Sequence, residues 1–530
     1  MDSTDLPEDV QGRPSILSIL LFTAIAYPVL KAFYNIYFHP LSKIPGPVLH
    51  SVSRVPYVAS LLKGWAVHDL QKLHQRYGPI VRVAPDEVSI AQAEVWNEMF
   101  QPRLEHEVDS ASVRTIRHRE FLKDPIWWEP HGTTNGKVAN VITAIDPEHH
   151  ARLRKVLAPA FTSRALKSQE PCIQRYVNLL VERIREAATA SEDEIDMKDW
   201  FIFTTFDIFG DLGFGESFNC LENSRYHPWV ARTFGSIKAV VWVVATRYWP
   251  AIHYLLLLCM PPSIREMADE HRRHVQEKVR QRMNYEVGRP DVFSPIMAAR
   301  RDGDKDVAMS MDEIDALFSS LVNAASETTA TTLTGTLNCL VQNPGPLERL
   351  TQEIRGTFND ESEITIDALR DLPYLNQVLK EGLRLFTPVP WIMPRRAPPE
   401  GATVCGVFLP GGTSISTQTY TMNRKQEYWH EAESFIPDRW APEALTNEDS
   451  PFYNDRRDAS QPFLVGSRAC LGQHLAWAEL WLISAKLVWN FDFGQAEDPE
   501  RRLKWESLKT YVLVETQPVW VKVKPRPYLA

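Results

Sequence analysis

The sequence predicts a mainly α-helical fold with a small β region, one large domain behind a single N-terminal membrane-spanning helix. Three observations predict it. A helical pattern runs without proline from Ser310 to Asn343, about 33 residues or on the order of 50 Å, enough to cross a whole domain. Strand-like alternation is confined to short stretches near residues 80–90, 403–417 and 511–523. An uncharged apolar run, Ser15 to Leu30, opens the chain.

Composition agrees. The 530 residues are 44% hydrophobic, ample for a sizeable core, and the net charge is −9. With a pI near 6.0, nothing points to a nucleic-acid partner. Six cysteines (Cys172, Cys220, Cys259, Cys339, Cys405, Cys470) lack any paired spacing, which argues for a reducing compartment.

Residues 2–9 are polar and acidic. The apolar run then passes Lys31 and continues through Phe33, Tyr34, Ile36, Tyr37 and Phe38. With Lys31 reaching to the interface, residues 15–38 can span a bilayer. The acidic leader argues against a cleaved signal peptide. Lys31, Lys43 and Arg54 put the following body on the cytoplasmic side, which leaves residues 1–14 as a short lumenal tail. A buried or interfacial helix is the competing reading. Prolines and a glycine in His39–Pro47 make residues 39–50 a stiff connector. The domain proper is residues 51–530.

Leu70, Leu73 and Tyr77 mark a short helix stopped by Gly78-Pro79. Ile80–Val83 and Val88–Ile90 flank a turn and read as a hairpin. Residues 103–141 show no period and read as a long irregular loop containing Ile126, Trp127 and Trp128. His150 and Arg154 are four apart and share a helical face, whereas Arg152 and Lys155 read as surface charges. Residues 165–187 and 197–214 read as helices, and 263–284 as a charged surface helix. The aromatic stretch 229–260 is no second span, because Arg247, Pro250 and His253 interrupt it.

Ser310-Met-Asp-Glu313 is a capping box that opens the long helix. Its centre reads Ala324-Ala-Ser-Glu327-Thr328-Thr329. Small residues leave room beside the helix, and threonine hydroxyls can bond the carbonyl one turn back. An acid next to a threonine puts a proton donor beside a water holder. Glu381 and Arg384 pair at i,i+3 on a helix over 373–386, and Arg439 follows in Pro437-Asp-Arg439-Trp440.

The last motif is Phe463-Leu-Val-Gly466-Ser-Arg468-Ala-Cys470-Leu-Gly472, leading into a helical pattern over 471–489. A thiol at a helix start faces unpaired N–H groups and the positive dipole end, which favours the thiolate. Gly466 and Gly472 let a flat ligand approach the backbone. Arg468 can pair with a carboxylate on that ligand, and Phe463 can cover the sulfur. A thiolate held this way is the ligand expected of a haem iron that cleaves O–O bonds. A buried structural cysteine is the alternative, but it leaves Gly466, Arg468 and Gly472 unexplained.

This stretch resembles the haem-binding signature of the cytochrome P-450 family, Phe-x-x-Gly-x-Arg-x-Cys-x-Gly, at every defined position. The centre of the long helix resembles the family's Ala/Gly-Gly-x-Asp/Glu-Thr-Thr motif, with Ala325 where glycine is usual. His150 and Arg154 match its His/Trp-x-x-x-Arg pair. Glu381, Arg384 and Arg439 match its Glu-x-x-Arg and Pro-Glu-Arg-Phe segments. The connector and Phe206–Phe218 are similar to fungal members, and the motifs cover essentially the whole chain in the family's order.

The resemblance implies a cytochrome P-450 fold holding haem b, with Cys470 as the axial iron ligand. Phe463, Gly466, Arg468 and Gly472 would surround it, and His150 and Arg154 would reach a propionate. Glu327 and Thr328 would be the catalytic proton-delivery pair, while Glu381, Arg384 and Arg439 would lock the ligand loop. Residues 126–128, 387–392 and 508–512 would edge the substrate pocket, and 229–260 would form a membrane-dipping access region. The implied reaction is monooxygenation of an apolar small molecule in fungal secondary metabolism. Electrons would come from NADPH through NADPH–cytochrome P-450 reductase, with cytochrome b5 as a second partner and Arg152 and Lys155 near the docking face. The chain itself has no nucleotide-binding fingerprint. The implied location is the endoplasmic reticulum membrane, with the catalytic domain in the cytosol. Two alternatives stay open. One is a haem-thiolate isomerase or dehydratase needing no reductase, a kind that tends to lack the acid–threonine pair. The other is a haem-binding sensor or carrier without turnover.

Overall fold

The computed structural model describes residues 16–101, 104–109, 112–117, 121–130, 138–190, 194–285, 288–303 and 307–527, with residues 21, 104–109, 112–117 and 232–237 described by their backbone alone. The expected lumenal tail, residues 1–14, lies outside them. The first helix, Ile16–Tyr37, has 22 residues, about 33 Å against a hydrocarbon core of about 30 Å. Among the described residues it is the one helix long and apolar enough to cross a membrane. It keeps a helical path through Pro28.

The connector is tied to the body. The Pro45 carbonyl accepts the Arg82 N–H at 2.8 Å, and Arg82 Nη1 donates back to the Asn35 carbonyl at 2.8 Å. Gly46 is required here, since a Cβ on it would stand 2.4 Å from the Arg82 carbonyl oxygen.

Fourteen short strands form five sheets among the described residues. β1 (Ile80–Ala84) and β2 (Glu87–Ile90) are the expected hairpin. The stretch expected as an irregular loop is partly ordered instead. β3 (Leu104–Asp109) and β4 (Ser112–Arg117) pair antiparallel, β5 (Leu122–Lys123) joins the largest sheet, and Pro125–Trp128 forms one helical turn capped by Asp124. Two six-residue strands are too short to show a period against the loop sequence around them. Further on come β6 (Glu194–Asp196), β7 (Ile392–Arg396), β8 (Ala402–Val404), β9 (Val407–Leu409), β10 (Ser414–Thr417) and β11 (Phe491–Gln495), then β12 (Thr510–Tyr511), β13 (Leu513–Val514) and β14 (Trp520–Pro525). The largest sheet has the order β1-β2-β10-β7-β5, with β10 parallel to β2.

Helices make the rest of the body. The central helix, Met311–Gln342, starts at a complete capping box. Ser310 Oγ accepts the Glu313 N–H at 3.2 Å, and Glu313 Oε2 accepts the Ser310 N–H at 2.8 Å. From Thr329 to Val341 every residue of this helix is buried. Helices Met197–Phe209, Pro262–Met283, Pro373–Leu385 and Gln473–Asn490 pack around it. The helix expected over 197–214 changes hand-hold at Gly210, where a π-turn, Gly210–Phe214, takes over. The aromatic stretch divides into Pro228–Arg247 and Pro250–Cys259, and the second of these buries no residue.

Candidate active site

The cysteine loop is built from two backbone reversals. Leu464 and Gly466 both take positive φ, 57° and 77°. The turn brings the Cys470 N–H to the Phe463 carbonyl at 2.8 Å and the Ala469 N–H to the Gly466 carbonyl at 3.1 Å. Gly466 cannot be replaced freely, because a Cβ there would sit 1.9 Å from the Phe100 carbonyl oxygen. Its glycine therefore serves packing against Phe100. Gly472 is the opposite case, with nothing within 4 Å of a built Cβ. The Phe463 ring packs on Trp477, centroids 6.1 Å apart.

Cys470 carries open surface, yet burial among protein atoms raises its thiol pKa above the ordinary value. The following helix begins at Gln473 with Gly472 as its cap. The Gly472 N–H and the Arg154 charge favour the thiolate, as the helix-start argument expects, but burial outweighs both. A local dipole thus assists the thiolate and does not by itself create it. A metal cation deprotonates a coordinating thiol outright. An accessible soft sulfur donor, with an open approach beside Gly472, fits a haem iron and its flat macrocycle.

Basic residues tether this loop. Arg154 Nη1 donates to the Ala469 carbonyl at 2.7 Å. Arg468 is buried and donates to the carbonyls of Ala144 and Ile145 at 2.5 and 3.1 Å. Both come from or contact the helix Pro147–Leu157 and its lead-in, so that helix and the loop form one unit. His150 is buried on the same helix. Arg152 is not the free surface charge it was expected to be. Its guanidinium pairs with Glu313, which also takes a bond from His149 Nε2 at 2.9 Å, and so ties this helix to the start of the central one. Lys155 remains exposed.

At the centre of the long helix Thr328 Oγ1 donates to the Ala324 carbonyl at 2.7 Å and Thr332 Oγ1 to the Thr328 carbonyl at 3.0 Å. Thr329 reaches the Ala325 carbonyl at 3.4 Å. Such back-bonding spends the hydroxyl hydrogen and leaves the oxygen as an acceptor. Burial pushes the Glu327 carboxyl up to about 7, so it can both hold and release a proton near neutral pH.

The expected pocket edges meet. The Trp127 ring lies edge-on to Trp391, 5.1 Å between centroids, and its Nε1 donates to Tyr248 Oη at 2.6 Å. Trp128 Nε1 donates to the Pro394 carbonyl at 3.0 Å. The turn at Val512 carries φ 79°, an unusual conformation for a β-branched residue, and the Val514 N–H bonds the Pro388 carbonyl at 3.1 Å.

Glu381, Arg384 and Arg439 lie together, all fully buried. Arg384 grips Glu381 with two bonds of 2.8 Å, and Arg439 Nε adds one at 3.0 Å. Arg439 also pairs with Asp455, a member that sequence reading missed, since nothing in its neighbourhood sets one aspartate apart. Glu479 was missed too. It is a buried acid on the helix Gln473–Asn490. Burial pushes it up to about 8, opposed by a hydrogen bond with Thr329, whose contact to the Ala325 carbonyl is long. Its signal was an acid among Leu475, Ala478, Leu480 and Leu482 on a core helix.

Comparison with known proteins gives the same answer. The chain matches the Cytochrome P450 family over residues 50–523. It is 37% identical to averantin hydroxylase of Dothistroma septosporum, over 95% of this chain and 90% of that protein. It is 39% identical to cytochrome P450 monooxygenase lcsI of Purpureocillium lilacinum, over 96% and 94% of the two. Cytochrome P450 monooxygenase stcF of Emericella nidulans is 36% identical over 96% and 99%. Membership of that family implies a haem-thiolate enzyme. The chain belongs to the cytochrome P450 family and is a P450 monooxygenase.

Proposed function

We propose that Cys470 is the axial ligand of the haem iron and that Glu327 and Thr328 supply the protons for oxygen activation. The observation that carries this reading is an accessible Cys470 in a loop fixed by its own backbone turn and tethered by Arg154 and Arg468. Bound haem supplies the oxygen chemistry, placing one atom of O2 in the substrate and releasing the other as water. Arg154 and Arg468, with the buried His150, would hold its propionates, and Phe463 would shield the sulfur. Glu327 holds a proton near neutrality. Thr328, its hydroxyl hydrogen already given to Ala324, accepts a hydrogen bond from a water and so positions that water beside the acid.

Thr328→Ala tests the pair. It removes the acceptor but little volume, so the thiolate-type spectrum should persist. Product per NADPH should fall, by up to on the order of a hundredfold if Thr328 carries the usual share of positioned proton transfer, while hydrogen peroxide per NADPH rises. An unchanged ratio of product to peroxide would remove Thr328 from proton delivery. Product formation without NADPH would instead favour the reductase-independent isomerase or dehydratase reading.

The substrate is an apolar small molecule of fungal secondary metabolism, in line with the hydroxylase and monooxygenase relatives. Electrons arrive from NADPH through a separate cytochrome P450 reductase, with cytochrome b5 as a second donor. Lys155, not Arg152, is the basic residue left exposed on that helix to meet them. The helix Ile16–Tyr37 anchors the chain in the endoplasmic reticulum membrane, body in the cytosol, and the exposed helix Pro250–Cys259 rests on the same surface. Deleting residues 1–38 should move most of the protein from the membrane to the soluble fraction, with its haem spectrum intact. A deletion variant that cannot take up haem would make the segment part of the fold.

A further inference from the structure

Three histidines hold Trp229 at the start of the helix Pro228–Arg247. The Trp229 backbone N–H donates to His227 Nδ1 at 3.2 Å, and its indole Nε1 donates to His271 Nδ1 at 3.2 Å. The His271 ring stacks on the indole, 5.4 Å between centroids and 16° between planes, and the His274 ring lies 4.6 Å away. His227 and His274 are themselves 5.8 Å apart. His271 and His274 share one face of the helix Pro262–Met283, and His271 also bonds the Ser319 backbone of the central helix. The cluster therefore joins three helices through one indole that is 3% exposed.

Each donation by Trp229 needs a bare imidazole nitrogen. A protonated histidine carries hydrogen on both nitrogens and accepts nothing, so a proton on His227 or His271 cancels a bond. His274 Nε2 is buried with no hydrogen-bond partner among the described residues. The surrounding charges do little for a cation. Lys278 and the other two imidazoles oppose one on His274, and Arg272 opposes one on His271. Glu277 favours one on His274, as does the indole face, but Glu277 is exposed. Glu270 stands one turn before His274 on the same helix. Glu216 is taken by Lys278 at 2.5 Å and Asp269 by Arg272 at 3.0 Å. Below His227, Cys220 Sγ accepts the His227 N–H at 3.4 Å, and Asp207 is held by the Cys220 and Leu221 N–H groups at 3.1 and 2.8 Å. On the central helix Asp315 is engaged by Gln276. Burial, then Lys278, lowers His274 to about 4, and burial lowers His271 as well.

We propose that His227, His271 and His274 form an acid-sensitive clasp on Trp229, which holds the start of the helix Pro228–Arg247 while the imidazoles are neutral and releases it when they take up protons. The far end of that helix reaches the pocket wall, through Tyr248 to Trp127 and through Arg247 to the Ile126 and Glu129 carbonyls at 3.1 Å each. Acid thus loosens one side of the substrate pocket. A folded value below the released one makes the clasp complete above about 6.5 and weaker as pH falls beneath it, with no further loss below about 4.

Hydrogen–deuterium exchange of the haem-loaded full-length protein tests the clasp. It is read on the first two turns of the helix Pro228–Arg247 at about pH 7.5 and about pH 5, corrected for the intrinsic exchange rate at each. One imidazole titrating at about 4 in the clasp and about 6.5 on release should lower protection there by roughly 30-fold. The helix Pro344–Thr357, which holds no histidine, should keep its protection. The triple variant His227→Asn, His271→Gln, His274→Gln keeps an acceptor at each position but does not titrate in this range. Its protection should stay within about twofold between the two pH values. If the triple variant does not fold, His274→Gln alone decides, and its drop should shrink to about a few-fold. No drop in the wild type, a drop shared by Pro344–Thr357, or a drop of full size in the variant that folds overturns the clasp.

Discussion

Cys470→Ser should abolish the red-shifted Soret band of the reduced, CO-bound protein and reduce product formation to background. The loop itself should survive. Its reversal is made by backbone bonds, Cys470 N–H to the Phe463 carbonyl and Ala469 N–H to the Gly466 carbonyl, and neither depends on sulfur. What changes is the donor. A serine hydroxyl is a hard, weakly acidic oxygen, a poor substitute for a thiolate on this metal. The other cysteines make internal controls. Cys172, Cys220 and Cys339 are buried, Cys259 is exposed on another helix, and none of the five stands in the glycine-flanked loop tethered by Arg154 and Arg468. Replacing any of these five should leave the band in place. A Cys470→Ser protein that keeps it would remove Cys470 as the ligand.

Much of this architecture was legible because it is local. The capping box at Ser310 and Glu313, the proline-free central helix and the apolar first helix are each written in neighbouring residues. The cysteine loop was legible for a related reason. Its spacing is dictated by one tight turn, and the Gly466 contact with Phe100 shows how little that turn tolerates. Non-local features were not legible. Asp455 completes the ion network only because the chain returns to Arg439, and Glu479 meets Thr329 only through the packing of two helices. Arg152 looked like a solvated charge because its partner, Glu313, is 161 residues away. The sign of the Cys470 shift also depends on folding. The helix start favours the thiolate locally, but the enclosure that opposes it is made by distant segments.

Glu381→Ala should cost about 3–5 kcal/mol of stability, the range for breaking a buried ion pair from one side, and most of the protein should be recovered without haem. Among the described residues Glu381 accepts five hydrogen bonds: two from Arg384, one from Arg439, one from the Ile436 N–H at 2.9 Å and one from Trp440 Nε1 at 2.9 Å. Removing the carboxylate strands two fully buried guanidiniums. Arg384 still has the carbonyls of Asn423, Ala432 and Ser434 but loses its paired carboxylate, and Arg439 loses one of two, keeping Asp455. Asp455 lies eight residues before Phe463, so loosening Arg439 loosens the approach to the cysteine loop. Burial alone would raise the Glu381 carboxyl, and the Arg384 and Arg439 charges more than offset it, so its folded pKa is depressed. The sign follows: its contribution is present in full above the unfolded carboxylate value of about 4.3 and is lost as pH falls through the folded value below that. Denaturant melts of Glu381→Ala, Arg439→Ala and the double variant should show a coupling of roughly 0.5–3 kcal/mol. Additive costs would mean that the network acts as separate pairs. The small fraction of Glu381→Ala protein that does hold haem should show a normal thiolate spectrum and an unchanged ratio of product to peroxide, because these residues position the loop and touch no reacting atom. A shifted ratio in that fraction would give the network a part in the chemistry itself.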